Sequence, residues 1–214
     1  MYVPKHFEER RPEELHRVVR DYPLGVLVLR SAGGLDANHI PFELHQEDGK
    51  TLLLAHVARA NPLWQETTDG DEALVIFRAA SAYISPNWYP SKHEFHKQVP
   101  TWNYQAVHAH GRIFIRDDER FVRAIVARLT RTNEIRSGQE RPWKMTDSSK
   151  EFIDHMVSNV VGIEIVVDNL IGKWKLSQNK EERDRSTAAT ELQRRGELIT
   201  SEAMLETLQG GCFS

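Results

Sequence analysis

Four short segments hold most of the side chains that could do chemistry, and each falls where a strand should end: His56-Val-Ala-Arg-Ala-Asn-Pro62, Tyr83-Ile-Ser-Pro-Asn-Trp-Tyr89, Val99-Pro-Thr-Trp-Asn-Tyr104 and Gly172-Lys-Trp-Lys-Leu-Ser-Gln-Asn179. They carry hydroxyls, amides, cations and indole rings where a core would carry Val, Ile and Leu. That mixture fixes a flat polar ligand in a mostly apolar cleft. Arg59 and Asn61 stand at a strand-to-helix junction, where backbone N–H groups and the helix dipole favour a phosphate that the arginine fork can clasp. Trp88, Trp102, Trp174, Tyr89 and Tyr104 offer ring faces and edges, while Thr101, Asn103, Ser177 and Gln178 can pair with a ring's carbonyl and imide groups. Each aromatic alone would serve equally well in a core or an interface; as a set they suit a flavin.

The elements that must position these segments are legible from period and punctuation. Residues 12–20 read as an amphipathic helix, with Pro and acids at its start and Leu15, Val18 and Val19 at helical spacing. Three strands follow, over 24–29, 37–45 and 50–56, separated by Gly33-Gly34 and Glu47-Asp-Gly49. Asn61 and Pro62 open a short helix through 67, with Asn61 as cap and Pro62 at the first helical position. Strands are expected over 72–78, 81–85 and 101–115, the last bent or bulged near Gly111. Asp117-Asp-Glu119 begins a helix reaching 131, with its acids in the dipole-favoured first turn. An exposed loop over 133–147, a helix over 148–156 and a strand over 160–167, continued by 173–176, come next. Charged helices over 179–195 and 201–208 close the chain. Six or seven strands whose helices do not alternate with them predict a mainly β, α+β antiparallel barrel with peripheral helices. No repeat or linker divides the chain, so one domain is expected over 1–214.

Composition narrows the function. The 28 basic and 31 acidic side chains leave a net charge of −3, so no global positive field holds a polyanion. The single cysteine, Cys212, forms no internal disulfide and no Cys-rich metal site, which fits a reducing compartment. The N-terminus has no apolar signal region, and the longest apolar run, 160–167, is broken by Gly162 and Glu164; no membrane and a cytoplasmic location are expected. There is no Gly-x-Gly-x-x-Gly, Walker, nucleophile-elbow or His-Glu-x-x-His pattern. His93 with His96 and His108 with His110 have metal-pair spacing but no matching acid or Cys motif, so no metal is expected.

Taken in order, Met1-Tyr-x-Pro-x-His-Phe7, His39-Ile-Pro-Phe42, the segment 56–62, Tyr83-Ile-Ser-Pro86, the segment 99–104 and Lys173-x-Lys-Leu-Ser-Gln-Asn179 resemble the PaiB family of FMN-binding negative transcriptional regulators. The resemblance implies an FMN-binding split barrel related in fold to pyridoxamine phosphate oxidases, working as a homodimer with flavin in the cleft between subunits. It implies that Ala58, Arg59, Ala60 and Asn61 meet the phosphate, with Asn38, His39 and Ile40 on a neighbouring strand. The ring is then expected against Thr101 and Trp102, reached by Lys173, Ser177 and Gln178. DNA binding would follow from the family's role, but no helix-turn-helix or zinc-finger pattern is present. The arginines of 117–131 and 180–195 are interleaved with acids, as on a solvated helix face. Two alternatives remain beside a regulator: a flavin-dependent oxidoreductase, in which the cofactor carries the electron chemistry, and a haem protein of the same fold with an axial histidine.

Overall fold

A computed structural model describes residues 1–209; Cys212 lies outside the described residues. The strands are β1 (Glu8–Glu9), β2 (Leu24–Ser31), β3 (Gly34–Pro41), β4 (Glu43–Glu47), β5 (Lys50–Ala58), β6 (Asp71–Ile84), β7 (Thr101–Arg116) and β8 (Val160–Lys175). The helices are α1 (Pro12–Asp21), α2 (Leu63–Glu66), α3 (Pro90–Phe95), α4 (Glu119–Arg136), α5 (Lys150–Ser158), α6 (Glu182–Arg194) and α7 (Leu198–Gln209). The strands hydrogen-bond in the order β3-β2-β6-β7-β8-β5-β4, with β1 paired to β8. The mainly β, α+β architecture expected from sequence is present, with eight strands among the described residues. No described helix is long and apolar enough to cross a membrane.

The described residues fall into two compact units, and β6, β7 and β8 each run from one into the other. Unit 2, residues 19–77 and 108–170, is built on antiparallel registers such as Leu27 opposite Val75 and Leu53 opposite Ile165. These four side chains are fully buried. Helix α4 seals one side by setting Ile125 and Leu129 on Leu52 and Leu54, and its Val122 meets Ile153 and Val157 of α5. The spacing 122, 125, 129 is the i, i+3, i+7 stripe that buries one helix face, and Asp118 starts the helix by accepting the Phe121 N–H at 2.8 Å.

Unit 1 comprises residues 1–18, 78–107 and the described residues from 171 onward. Helices α6 and α7 form a hairpin turned at Gly196, whose φ of +82° suits a residue without Cβ. Ser201 Oγ donates to Ala189 O at 2.7 Å across the hairpin. Ala188, Ala189, Leu192 and Met204 are buried there, as are Ile84, Tyr89, Trp174 and Leu176.

Several expectations change. The strand over 37–45 is two strands, divided at Phe42, whose N–H turns to Pro23 O and whose ring is buried edge-on to Phe77 at 5.9 Å. The segments 72–78 and 81–85 are one strand, continuous through Ala79 and Ala80, of which Ala79 is buried. Helix α4 continues to Arg136, so the loop expected from 133 begins later. Strand β7 passes unbroken through Gly111, where a Cβ would stand 2.2 Å from Val166 O; the glycine permits close approach of β8. Helix α3 and strand β1 were not expected, being too short for a periodic signal.

Candidate functional site

In unit 2 the junction after β5 gathers around Arg59. Its N–H bonds Asn159 O at 2.8 Å and its Nε donates to Ser158 O at 2.8 Å. Its two terminal nitrogens grip Asp117 at 3.0 and 2.5 Å. This hydrogen-bonded pairing holds the Asp117 carboxyl below its usual range and raises the arginine further. Trp64 Nε1 donates to Arg59 O, and the guanidinium lies 5.6 Å from the indole centroid. The adjoining cavity of about 600 Å³ includes Asp117, Lys150, Asp154 and Ser158 in its lining. Lys150 and Arg123 both bond Asp154 at 2.6 Å, so these cations are also paired.

Asn61 and Asn38 are brought together: Asn61 Nδ2 donates to Asn38 Oδ1 at 3.0 Å, and Asn61 Oδ1 accepts the Leu63 N–H at 3.0 Å. His39 is exposed and Ile40 buried, as alternate residues of a strand face opposite ways. Ala58 and Ala60 are exposed beside Arg59. Helix α2 starts at Leu63, so Pro62 occupies its cap position and the helix is only four residues long. The junction therefore offers a caged arginine and a short asparagine network, with little helix dipole behind it.

In unit 1 the strand period sets the chemistry. Trp102 and Tyr104 share one face of β7, and Lys173 and Lys175 share one face of β8. The two faces meet: Lys173 Nζ lies 5.6 Å from the Tyr104 centroid, and Lys175 Nζ donates to Trp102 O at 2.5 Å and to Thr101 Oγ1. Tyr83 of β6 stands edge-on to Trp102, centroids 6.0 Å apart, with 47% and 57% of the two residues exposed. Lys173 also donates to Tyr2 O at 3.0 Å. Neither lysine forms an ion pair among the described residues. Burial, then the charge of Lys173, pushes the Lys175 ammonium below its ordinary pKa.

The remaining expected residues point inward. Ser177 is buried with φ of +66°, its hydroxyl donating to Asn103 Oδ1 at 3.1 Å and lying 3.4 Å from Tyr89 OH. Gln178 folds onto its own loop, donating to Trp174 O at 2.6 Å and accepting from Leu176 N at 2.8 Å. Tyr89, Trp174 and Asn103, read from sequence as ring-contacting candidates, are buried core residues. Trp88 is covered by the Arg195 guanidinium at 5.0 Å from its ring centroid. Two site features escaped the sequence reading. Lys175 is signalled by the Lys-x-Lys alternation, which puts both ammonium groups on one strand face. The Asp117 partnership of Arg59 had no local signal, since 58 residues separate the pair.

The fold belongs to a class of solved structures. The FAD and haem binding protein of Mycobacterium smegmatis matches at a TM-score of 0.57 and 15% identity, over 83% of this chain and 78% of that one. The flavocytochrome Anf3 of Azotobacter vinelandii matches at 0.57 and 12% identity, over 86% and 77%. The class is the antiparallel split barrel. Residues 1–169 match the family described as "Putative FMN-binding domain", and the chain belongs to that family. It is 30% identical over 193 residues to Protease synthase and sporulation protein PAI 2 of Bacillus subtilis, covering 90% of this chain and 89% of that protein. Over 155 residues it is 36% identical to the uncharacterized protein YKL070W of Saccharomyces cerevisiae, covering 63% and 90%. The PaiB-type resemblance drawn from the motifs is borne out.

Proposed function

We propose that this chain binds FMN and acts, as a homodimer, in the negative control of transcription in the PaiB manner. The observation that carries the flavin reading is the exposed face of Trp102 and Tyr83 bordered by Lys173 and Lys175. A flat, polar, anionic aromatic ligand matches that donor set: indole for the ring, ammonium for negative charge. The ring is assigned to Thr101, Trp102 and Lys173. Ser177 and Gln178 act from within their loop, holding the backbone that presents the lysines. The phosphate is assigned to Arg59 and Asn61, with Ala58, Asn38, His39 and Ile40 framing the junction. Because Asp117 already fills the Arg59 fork, phosphate binding there requires the carboxylate to yield. When bound, FMN would supply the electron-transfer chemistry.

Direct DNA reading finds little support in α6. Arg183 is paired with Glu94 and Glu181, and Arg194 and Arg195 with Glu191, which leaves few free cations on α6 and its end for phosphates. Control through flavin or ligand state suits this chain better than a dedicated DNA-reading element.

The test is the visible spectrum of purified protein, before and after FMN addition and desalting, with light scattering for the assembly. Retained FMN on a dimer is the expected result. No retained flavin would overturn the reading, and a Soret band on adding haemin would replace it with the haem alternative. Oxidation of NAD(P)H by the loaded protein would make it an oxidoreductase.

A further inference from the structure

We propose that Lys175, with Lys173, forms an anion pole that takes a negative charge carried by the aromatic ligand at Trp102. The inference rests on the FMN reading and deepens it.

Three observations where β7 and β8 face each other carry it. The two ammonium groups alternate on β8, so both project to the side where Tyr104 and Trp102 project from β7. Their contacts are neutral oxygens and π-faces: Thr101 Oγ1 and Trp102 O for Lys175, Tyr2 O and two tyrosine rings for Lys173. No carboxylate pairs with either among the described residues. Two like charges held side by side without a counter-ion destabilise each other, and a ligand anion relieves that repulsion. Arg59 offers the opposite case, a guanidinium with a bidentate carboxylate already in place. An incoming anion gains less from a charge that is already neutralised.

The negative charge has two sources on a flavin nucleotide. One is the phosphate, present on FMN and absent from riboflavin. The other is the ring, which becomes anionic when it takes two electrons from a reductant such as dithionite and one proton from water. The experiment separates them. FMN and riboflavin are titrated, oxidised and dithionite-reduced, against the wild-type protein, Lys175→Met and Lys175→Arg, with circular dichroism to verify that the variants fold; Lys173→Met serves as the second neutral variant should Lys175→Met fail to fold.

If the pole takes phosphate, the neutral variant loses about tenfold in affinity for FMN and nothing for riboflavin, and the arginine variant restores most of it. If the pole takes the ring charge, the neutral variant binds both reduced flavins about tenfold more weakly relative to the oxidised forms. That is a fall of about 30 mV in the two-electron potential of the bound flavin. Equal losses for all ligands and states, or no loss at all, overturn the inference while leaving FMN binding intact. A wild-type protein that binds neither flavin overturns the FMN reading and this inference with it.

Discussion

The Arg59 junction of unit 2 and the lysine face of unit 1 treat their cations in opposite ways. In unit 2, Arg59 is closed on Asp117, and Arg123 and Lys150 on Asp154. In unit 1, Lys173 and Lys175 face rings and neutral oxygens. A paired cation is at rest, and what it contributes is geometry; an unpaired, partly buried one is poised for an anion that the chain itself does not supply. Unit 1 also holds a buried polar network built around a carboxylate. Its buried Asp184 receives the Ser91 N–H at 3.0 Å and the Ser91 hydroxyl at 2.5 Å, and Gln98 extends that network to Lys180. The lysine pair, with no carboxylate beside it among the described residues, differs from that network, and departures of this kind gather at functional sites.

The largest effect is expected at Asp184. Replacing it with Ala strips Ser91 of both acceptors in a fully buried position and should cost about 2–3 kcal/mol, read as a lower urea midpoint. An unchanged midpoint would mean that the network does not hold α3 to α6. Next comes Asp117→Asn, which frees the Arg59 fork. If the phosphate uses that fork, FMN binds about tenfold more tightly by calorimetry; unchanged affinity removes Arg59 from the phosphate and sharpens the contrast between the units.

Acid should act in two windows. Burial depresses the pKa of His56, and burial with the neighbouring His110 depresses that of His108, both in unit 2. The unfolded chain then takes up these protons first, near pH 6.5, so their contribution is complete above that pH and is lost as pH falls below it. In unit 1, burial pushes Glu9 up, but its hydrogen bonds with Arg11 outweigh this and leave its pKa lowered. Its contribution holds above the unfolded carboxylate range and is lost as pH falls through the lower folded value. Urea midpoints should therefore decline first between pH 6.5 and 5, and His56→Gln with His108→Gln should flatten that step while leaving the lower one. The smallest effect is that of Lys175→Met on the ligand-free protein: a thermal midpoint unchanged or raised, because an unpaired ammonium is removed. A clear drop would assign Lys175 to the scaffold and erase the contrast.

Much of this was legible in the sequence, for physical reasons. The stripe of Val122, Ile125 and Leu129 announces α4, and Gly33-Gly34 and Glu47-Asp-Gly49 announce two hairpins that the registers bear out. The division at Phe42 was hidden, since a buried ring looks the same within a strand and at its break. At the site, Trp102 and Lys173 were readable as exposed chemistry in a motif. That Ser177 and Gln178 turn inward was not, because it depends on a positive φ at Ser177 and on Asn103, 74 residues away. Long-range partnerships such as Arg59 with Asp117 have no local pattern and emerge only once β5 and the start of α4 are in place.

The most direct test of the central claim is a titration of FMN with wild-type protein and Trp102→Leu, followed by the quenching of flavin fluorescence. The account predicts saturable quenching at one FMN per chain in the wild type and about tenfold weaker binding in the variant, the scale of one aromatic stacking contact. Absence of saturable binding in the wild type, or binding indifferent to the loss of the indole, would contradict it.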